Sequence, residues 1–522
     1  MMFSHRTVLL LAFVSTVANA FSLLSTSSPS NRHYPLISSS SPRSFFLQAA
    51  TLDAPEVTED PKAVKEEEKV PQSPGLREDS VFDCDGSVQY WKDFQSEGND
   101  GNLQRLVQIL SEEANTDNLA RAYWASHLLR TGYFTMNAAL GSVFSDVHER
   151  FIASRDSRNA KNKEENTENI SPIFANDNDM TNRLINSDIP SRLLLEAFRV
   201  YYQDYQYVKD GLLKFPWDAL VQSRSGIQLN TNHRQSNPIF ALQETAASIF
   251  ESVAIFSRRN KQSSKGVFLS QPKKSDDVGA LLYPDYYLND FHYQTDGWLS
   301  SKSAQRYESS TETLFLGRQD AMQRQTLIPI LQSASKPTTM LEVAAGTGRF
   351  GTFVRDHFPT ANMTYTDLSP FYLEKAQEND KYWMEQRGQD ALKEAGVVVS
   401  EKRKPEPATF VQANAEDLPF PDNSFDAVTS VYLFHELPKK AQQKAAKEMV
   451  RVVKPGGMIV FTDSIQKGDR PPLDAYMGNF GKLNEPHYDN YIETYLPDLF
   501  EGCEMDKKFV ASSTKTLSFI KK

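Results

Sequence analysis

The chain has 522 residues, of which 39% are hydrophobic and 24% are charged. This length suits two or three domains with a sizeable core, and the formal net charge of -10 argues against a nucleic-acid-binding surface. The two cysteines, Cys84 and Cys503, are too few for a disulfide framework or a zinc knuckle, so we expect free thiols and no metal site. No apolar run reaches the roughly 20 residues of a membrane-spanning helix.

Residues 1–52 contain no Asp or Glu, which predicts a targeting region. Residues 1–20 have a basic start, a short apolar run and a small-residue cleavage pattern, as a signal peptide does. Residues 21–52 are rich in serine and carry two arginines, which is typical of a transit peptide. This order, with Phe21 at the junction, resembles the bipartite plastid presequence of diatoms and related algae. We therefore expect a plastid (chloroplast) protein, with plain secretion and mitochondrial import as alternatives.

The next segment, 53–78, is rich in Glu, Lys and Pro and predicts a disordered acidic linker. Residues 79–300 predict a mostly helical N-terminal domain, because apolar residues recur there at helical spacing, as in NLQRLVQILSEEA. No motif in this domain indicates its chemistry, so its role stays open.

From about residue 337, short apolar runs alternate with amphipathic segments. This rhythm predicts a parallel α/β sheet with helices on both faces, and ligands bind such sheets at the carboxyl ends of the strands. The chain end, CEMDKKFVASSTKTLSFIKK, fits two closing strands. Predicted strands are 339–344, 363–366, 409–413, 425–433 and 458–462, and predicted helices are 348–357, 371–380 and 439–453.

The stretch MLEVAAGTGRFG, 340–351, follows the first predicted strand. It fits the dinucleotide pattern G-x-G-x-x-G and also comes close to the E/D-x-G-x-G-x-G loop that holds S-adenosylmethionine. Asp367, after the second strand, suits both cofactors because both carry a ribose. A dinucleotide places a pyrophosphate on the helix N-terminus, whereas a sulfonium cation favours a carboxylate where Glu342 stands. The loop alone leaves both cofactors, and a plain tight turn, open.

The third strand separates these alternatives. FVQANAEDLPFPDNSFDAVTSVYLFHELP, followed by EMVRVVKPGGMIVFTD, closely resembles class I S-adenosylmethionine-dependent methyltransferases, nearest the branch of quinone- and sterol-biosynthesis enzymes. The resemblance covers 338–464. It implies a Rossmann-like seven-stranded methyltransferase sheet in a domain over 301–522, with S-adenosylmethionine as the cofactor. Ala344 and Asn414 depart from the family pattern, which more often has Gly and Asp there.

The resemblance also implies which side chains contact the cofactor. Glu342 and the glycine-loop backbone face the methionine part, Asp367 accepts hydrogen bonds from both ribose hydroxyls, and the residue after it packs on the adenine. Asn414, Ala415 and Glu416 contact the edge of the adenine ring, and Glu416 is the alternative to Asn414 for that contact. The alternative role for Asp367 is to cap a helix, and the alternative role for Tyr432 is to pack in the core. The residues implied to bind the cofactor are Glu342, Ala344, Ala345, Gly346, Thr347, Gly348, Asp367, Leu368, Asn414, Ala415, Glu416 and Tyr432.

Two further stretches resemble uncharacterised methyltransferases of cyanobacteria and plant plastids. They are YYLNDFHYQTDGWLSSKSAQRYESSTETLFLGRQDAMQRQTLIPIL, upstream of the sheet, and LNEPHYDNYI near the C-terminus. This resemblance names no substrate, but it agrees with a plastid location.

Methyl transfer needs alignment and water exclusion, and it needs a base only if the acceptor must lose a proton. His435, after the fourth strand, is the candidate base because imidazole titrates near neutrality; a histidine bonded to a backbone carbonyl is the alternative. His292, Tyr293 and Trp298 form a polar-aromatic cluster that could fold over the cofactor as a lid and line an acceptor pocket with His487. Packing at a domain interface is the alternative for that cluster.

These observations favour an enzyme that methylates a small, hydrophobic, phenolic or quinone-like plastid metabolite. A non-catalytic module that binds S-adenosylmethionine, or uses the fold as an interaction surface, is the alternative, and a dehydrogenase is disfavoured. The expected partner is a small-molecule acceptor, without nucleic acid or a transmembrane span. The acceptor, the methylated atom and the oligomeric state are left open.

Overall fold

The structure is a computed structural model. The predicted signal peptide, transit peptide and acidic linker lie outside the residues that it describes. Those residues are 82–96, 110–159, 189–218, 220–223, 226–229, 238–260, 283–289, 291–398, 405–478 and 484–522.

The helices fall into two groups along the chain. Helices α1 to α4 precede the main sheet and are Ser87–Ser96, Asn118–Asn159, Ile189–Lys209 and Pro238–Asn260. Helices α5 to α13 lead into the sheet or connect its strands and are Ser301–Leu314, Gln319–Gln323, Leu327–Gln332, Arg349–His357, Pro370–Gln386, Gly388–Glu394, Lys439–Val452, Asp474–Met477 and Tyr488–Tyr491.

Two strands form a small antiparallel hairpin, and seven form the main sheet. The hairpin strands β1 and β2 are Leu220–Ser223 and Gly226–Leu229. The main sheet contains β3 to β9, which are Thr339–Val343, Asn362–Asp367, Thr409–Gln412, Phe425–Val431, Val453–Ser464, Cys503–Ala511 and Thr514–Lys521.

The strand order of the main sheet is β5-β4-β3-β6-β7-β9-β8. Strands β3 to β7 are parallel, whereas β9 is antiparallel to both its neighbours. The order reverses at β3, which lies between β4 and β6, so a crevice opens at the carboxyl ends of these strands. The predicted fold class, a Rossmann-like seven-stranded sheet preceded by helices, is confirmed.

The central strands are hydrophobic because helices cover both faces of the sheet. In β3, every residue after the first is buried, as expected for a parallel strand with both faces packed. The predicted strands and helices all occur, with shifted ends. The strand predicted at 458–462 extends over Val453–Ser464, and the helix predicted at 371–380 continues to Gln386.

The N-terminal helices pack directly on the sheet. Trp91, Trp124 and Tyr201 belong to the same buried hydrophobic cluster as Met340 and Phe461 of the sheet. At the sheet edge, the backbone N–H of Cys84 donates to the carbonyl of Lys508 in β8 at 2.9 Å. The division of the chain into a domain at 79–300 and another at 301–522 stays a prediction.

A strap of residues 283–289 and 291–300 joins the two parts of the chain. Nε of Arg258 in α4 donates to the carbonyl of Tyr293 at 2.6 Å. The hydroxyl of Ser369, just before α9, donates to the carbonyl of Trp298 at 2.5 Å. The strap is therefore tied both to the N-terminal helices and to the sheet. Within the described residues, no helix is long and apolar enough to cross a membrane.

Candidate functional site

The loop after β3 adopts an unusual backbone. Ala344, Gly346 and Gly348 all have positive φ angles, of 56°, 56° and 68°. Glycine reaches this left-handed region without a steric cost, whereas alanine does not. A Cβ atom built on Gly346 would have no atom within 4 Å, so open space borders the loop, as a cradle for a ligand requires.

Asp367, the last residue of β4, is tied to this loop. Its Oδ2 accepts a hydrogen bond from the N–H of Gly346 at 2.8 Å, and its Oδ1 accepts one from the N–H of Ser369 at 2.8 Å. Burial raises the pKa of Asp367 to about 6, although these backbone hydrogen bonds act in the opposite direction. Each oxygen has a second lone pair that remains for ligand hydroxyls.

Glu342, in β3, is a buried carboxyl group with an unsatisfied atom. Its exposure is 2%, and no group among the described residues donates to its Oε2. Burial, reinforced by the charge of Asp367, raises the pKa of Glu342 well above its usual value. A nearby cation would reverse this effect. The residue therefore fits a ligand that brings a positive charge, as a sulfonium with its amino group does.

A central cavity of about 730 Å³ connects these features. Its size lies in the range of small-molecule sites, and its wall comes both from the sheet and from the N-terminal helices. Trp298 of the strap, a predicted pocket residue, lines the cavity. Most of the predicted cofactor residues also line it: Glu342, Ala344, Ala345, Gly346, Thr347, Asp367, Leu368, Asn414, Ala415 and Tyr432.

Two predicted cofactor residues, Gly348 and Glu416, are not among the lining residues. Gly348 caps α8 and lies against α9, where an added Cβ would come within 2.9 Å of the Ala376 side chain. Glu416 has both carboxylate oxygens engaged: Oε1 accepts from the Tyr286 hydroxyl at 2.7 Å and Oε2 from Lys444 at 3.0 Å. Each oxygen of Glu416 thus already accepts one hydrogen bond, and its contact with adenine stays a prediction.

His435 is held by carboxylates behind the cavity wall. Its Nδ1 lies 2.6 Å from Oδ1 of the fully buried Asp463, and its Nε2 lies 3.5 Å from Oε1 of Glu436. Burial alone would lower the pKa of His435, but Asp463 and Glu436 raise it well above its usual value. His435 is also not among the residues that line the cavity, so its role as a general base stays a prediction.

The remaining predicted pocket residues, His292, Tyr293 and His487, do not line the cavity either. His292 faces carboxylates, with Nδ1 at 3.2 Å from Glu485 and Nε2 at 3.7 Å from Glu436. Tyr293 uses its carbonyl to anchor the strap. His487 precedes α13, and its ring meets that of Tyr286 edge-on at 6.3 Å. The strap nevertheless walls the cavity, as the lid hypothesis requires, through other residues.

Sequence reasoning missed several cavity residues on the aromatic and N-terminal side. Tyr286 and Tyr287 of the strap, Tyr307 of α5 and Arg130 of α2 all line it. The run of tyrosines in the strap was a visible signal. Nothing in the pattern of α2 distinguishes Arg130 from an ordinary helix residue, because only the tertiary fold brings it to the cavity.

A buried ionic network connects α2 to the cofactor loop. Asp320 at α6 lies 2.8 Å from Arg130 and 2.6 Å from Arg349, the first residue of α8. Arg130 also lies 2.6 Å from Glu312, and Arg349 pairs with Asp218. These side chains are all less than one fifth exposed. The network fixes the position of the N-terminal helices relative to the helix that follows the cofactor loop.

Comparison with known proteins agrees with this geometry. A methyltransferase domain family matches residues 341–461. The ubiquinone/menaquinone biosynthesis C-methyltransferase UbiE of Citrobacter koseri is 32% identical over 139 residues, which are 26% of this chain and 47% of that protein. The enzyme of the same name from Pseudomonas putida is 31% identical over 196 residues, which are 37% of this chain and 68% of that protein. The chain thus spans about half the length of the first relative and about two thirds of the second.

Among solved structures, the N-methyltransferase NodS of Bradyrhizobium japonicum in complex with S-adenosyl-L-homocysteine matches with 16% identity and a TM-score of 0.27. The match covers 38% of this chain and 85% of that one. The family match contains the loop after β3 and strands β4 to β6, and the Pseudomonas putida enzyme is covered over 68% of its length. The chain therefore belongs to the class I S-adenosylmethionine-dependent methyltransferases, related to the quinone-biosynthesis C-methyltransferases, and is an enzyme that uses S-adenosylmethionine.

Proposed function

We propose that this methyltransferase acts on a small, hydrophobic, phenolic or quinone-type metabolite of a plastid. The observation that carries the proposal is the central cavity, which places the cofactor loop and aromatic side chains on one wall. Tyr287, Trp298, Tyr307 and Tyr432 line it together with Asp367. Flat aromatic walls suit a ring-bearing acceptor because stacked and edge-on ring pairs are favourable.

The chain's own residues provide binding, orientation and water exclusion. Asp367 would hold the ribose, Glu342 would balance the positive charge, and the backbone of Gly346 would allow close approach to the methionine part. S-adenosylmethionine supplies an electrophilic methyl group on a sulfonium when bound. The helices and the strap form part of the cavity wall, and a wall of this kind favours alignment of the acceptor and limits the access of water.

The names of the sequence relatives support a quinone-type acceptor. Those relatives are described as C-methyltransferases of ubiquinone and menaquinone biosynthesis. The family match spans 341–461, which contains the cofactor loop. Tyr286, Trp298 and Tyr307, on the cavity wall, lie outside that range.

Support for the plastid location comes from the composition of the N-terminal region and from its resemblance to bipartite plastid presequences, with Phe21 at the junction. Residues 1–52 lack acidic side chains and contain an apolar run followed by a serine-rich segment. Fusion of this segment to a fluorescent protein in a diatom tests the proposal. We expect fluorescence inside the plastid, whereas secretion or mitochondrial fluorescence would refute it.

The function is tested by incubating the purified chain, without residues 1–52, with labelled S-adenosylmethionine and a plastid lipid extract. We expect the label in a hydrophobic compound with a phenol or quinol ring, identified by mass spectrometry. Asp367→Ala serves as the negative control. Label found only in protein or in a water-soluble product would contradict the proposal.

A further inference from the structure

The cavity wall contains a carboxylate to which the cofactor assignments above give no role. Glu436 lies in the short 3-10 helix Phe434–Glu436, directly after β6, and lines the cavity. Its side chain is only 10% exposed, and no group among the described residues donates to its Oε2. A buried carboxylate oxygen without a partner is costly, so its presence in a cavity wall points to a ligand.

The other oxygen of Glu436 is fixed by two histidines. Its Oε1 lies 3.5 Å from Nε2 of His435 and 3.7 Å from Nε2 of His292. Each ring is held from behind through its Nδ1, by Asp463 at 2.6 Å and by Glu485 at 3.2 Å. Both rings therefore face Oε1, and Oε2 is left without a partner among the described residues.

The histidines also keep Glu436 ionised. Burial by itself would raise the pKa of Glu436, but His292 and His435 lower it to about 2. An ionised carboxylate accepts hydrogen bonds and donates none. The group that completes this site must therefore be a hydrogen-bond donor.

Glu436 borders the same space as the ribose-binding acid. Tyr307 of α5 lines the cavity, and burial raises its pKa, with a further rise caused by the charges of Glu436 and Asp367. Its hydroxyl is thus within electrostatic reach of both carboxylates. A molecule that contacts Glu436 in this cavity shares the space with the cofactor instead of lying in a separate site.

We propose that Glu436 binds the methyl acceptor by accepting a hydrogen bond from an O–H or N–H group of that acceptor. This inference rests on the proposed function and narrows it. The acceptor is a phenol, a quinol or an amine; an oxidised quinone offers no donor, and a carboxylate or phosphate placed at this point would be repelled.

Binding of small probes tests the role of Glu436 separately from methyl transfer. Hydroquinone and aniline carry the donor, and their matched partners, hydroquinone dimethyl ether and N,N-dimethylaniline, lack it. Ligand-observed NMR with the full chain and S-adenosyl-L-homocysteine gives the affinity of each probe for the wild type, Glu436→Gln and Glu378→Gln. Glu378→Gln is the matched control, since the Glu378 side chain is 56% exposed and does not line the cavity.

We expect at least one donor-bearing probe to bind the wild type more tightly than its methylated partner. Glu436→Gln should weaken that probe by about tenfold or more, while the methylated partner binds all variants alike and Glu378→Gln weakens the probe by less than about threefold. Equal binding to wild type and Glu436→Gln, an equal loss in Glu378→Gln, or no preference for any donor in the wild type would each overturn the proposal.

Calorimetry with S-adenosyl-L-homocysteine shows whether the variants are folded. Should Glu436→Gln fail to bind it, Glu436→Asp replaces that variant, because it keeps the charge but withdraws it by one methylene group. Failure of the proposed function would appear differently, as absent label transfer to the lipid extract by a chain that still binds the donor-bearing probes.

Discussion

Asp367 connects the cofactor loop to the second strand of the parallel sheet, and its two oxygens already accept one backbone hydrogen bond each. We predict that Asp367→Ala weakens S-adenosylmethionine binding by about 1.5–3 kcal/mol, the range for hydrogen bonds to a charged group. Calorimetry on the purified chain measures the change. Asp422→Ala, at an exposed carboxylate, is the control, and equal affinities for wild type and Asp367→Ala would remove the ribose assignment.

The protonation of Asp367 gives a prediction about pH. Burial raises its pKa to about 6, and only the ionised form accepts hydrogen bonds with both oxygens. S-adenosylmethionine affinity should therefore fall as the pH is lowered through 6, and Glu342, whose pKa is also raised, strengthens the trend. Titrations at several pH values measure it, with Asp367→Asn expected to show a flatter profile. Affinity that rises on acidification would contradict the assignment.

Ala344 occupies a backbone position that suits glycine, with a φ of 56°. We predict that Ala344→Gly stabilises the protein by about 0.5–1 kcal/mol, because relief of the left-handed strain outweighs the added chain entropy. Urea unfolding measures the change. Ala445→Gly, within α11, is the control and should destabilise by at least about 1 kcal/mol. Destabilisation by Ala344→Gly would show that the methyl group packs usefully there.

At the scale of the elements, the buried network around Asp320 joins α2, α6 and α8. The guanidinium groups of Arg130 and Arg349 hold the pKa of Asp320 below its usual value, although burial alone would raise it. We predict that Asp320→Asn destabilises the protein by about 3–5 kcal/mol, because it leaves two buried cations short of a counter-charge. Denaturant unfolding provides the measurement.

The control for this network is an exposed pair of the same type. Asp390 and Lys393 lie 2.9 Å apart in α10 with both side chains about 60% exposed. Asp390→Asn should change the stability by about 0.5 kcal/mol or less. If both substitutions cost equally little, the network does not hold the N-terminal helices against the cofactor loop.

The elements of the sheet could be predicted from the sequence because their signals are local. The apolar run of β3 and the glycines after it define a strand and a turn without reference to any other part of the chain. The carboxylate contacts of His435 could not be predicted in this way. Asp463 lies near the end of β7, and only the folded sheet brings it to the His435 ring. Helical spacing in α2 indicates a helix but not which neighbour covers it, so the contribution of Arg130 to the cavity was also hidden.

At the scale of the whole molecule, the N-terminal helices and the sheet share one hydrophobic cluster. Trp91 and Tyr201 of these helices are fully buried. Removal of the helices would therefore expose the apolar surface of the sheet that they cover. We predict that residues 301–522, expressed alone, show no cooperative unfolding transition and no S-adenosylmethionine binding. Circular dichroism and calorimetry, with the chain starting at residue 79 as the control, decide this. A stable, cofactor-binding 301–522 fragment would instead support the predicted domain division.

The strap has a consequence for the catalytic cycle. It is anchored on one side through the Tyr293 carbonyl and on the other through the Trp298 carbonyl, while its aromatic side chains wall the cavity. The Tyr286 hydroxyl of the strap also donates to Glu416 Oε1 at 2.7 Å, so the strap can open only if several of these hydrogen bonds break, and such openings often limit the turnover of an enzyme. Release of the demethylated cofactor, and not the methyl-transfer step, would then limit the turnover rate. The enzyme would also be sensitive to inhibition by this by-product.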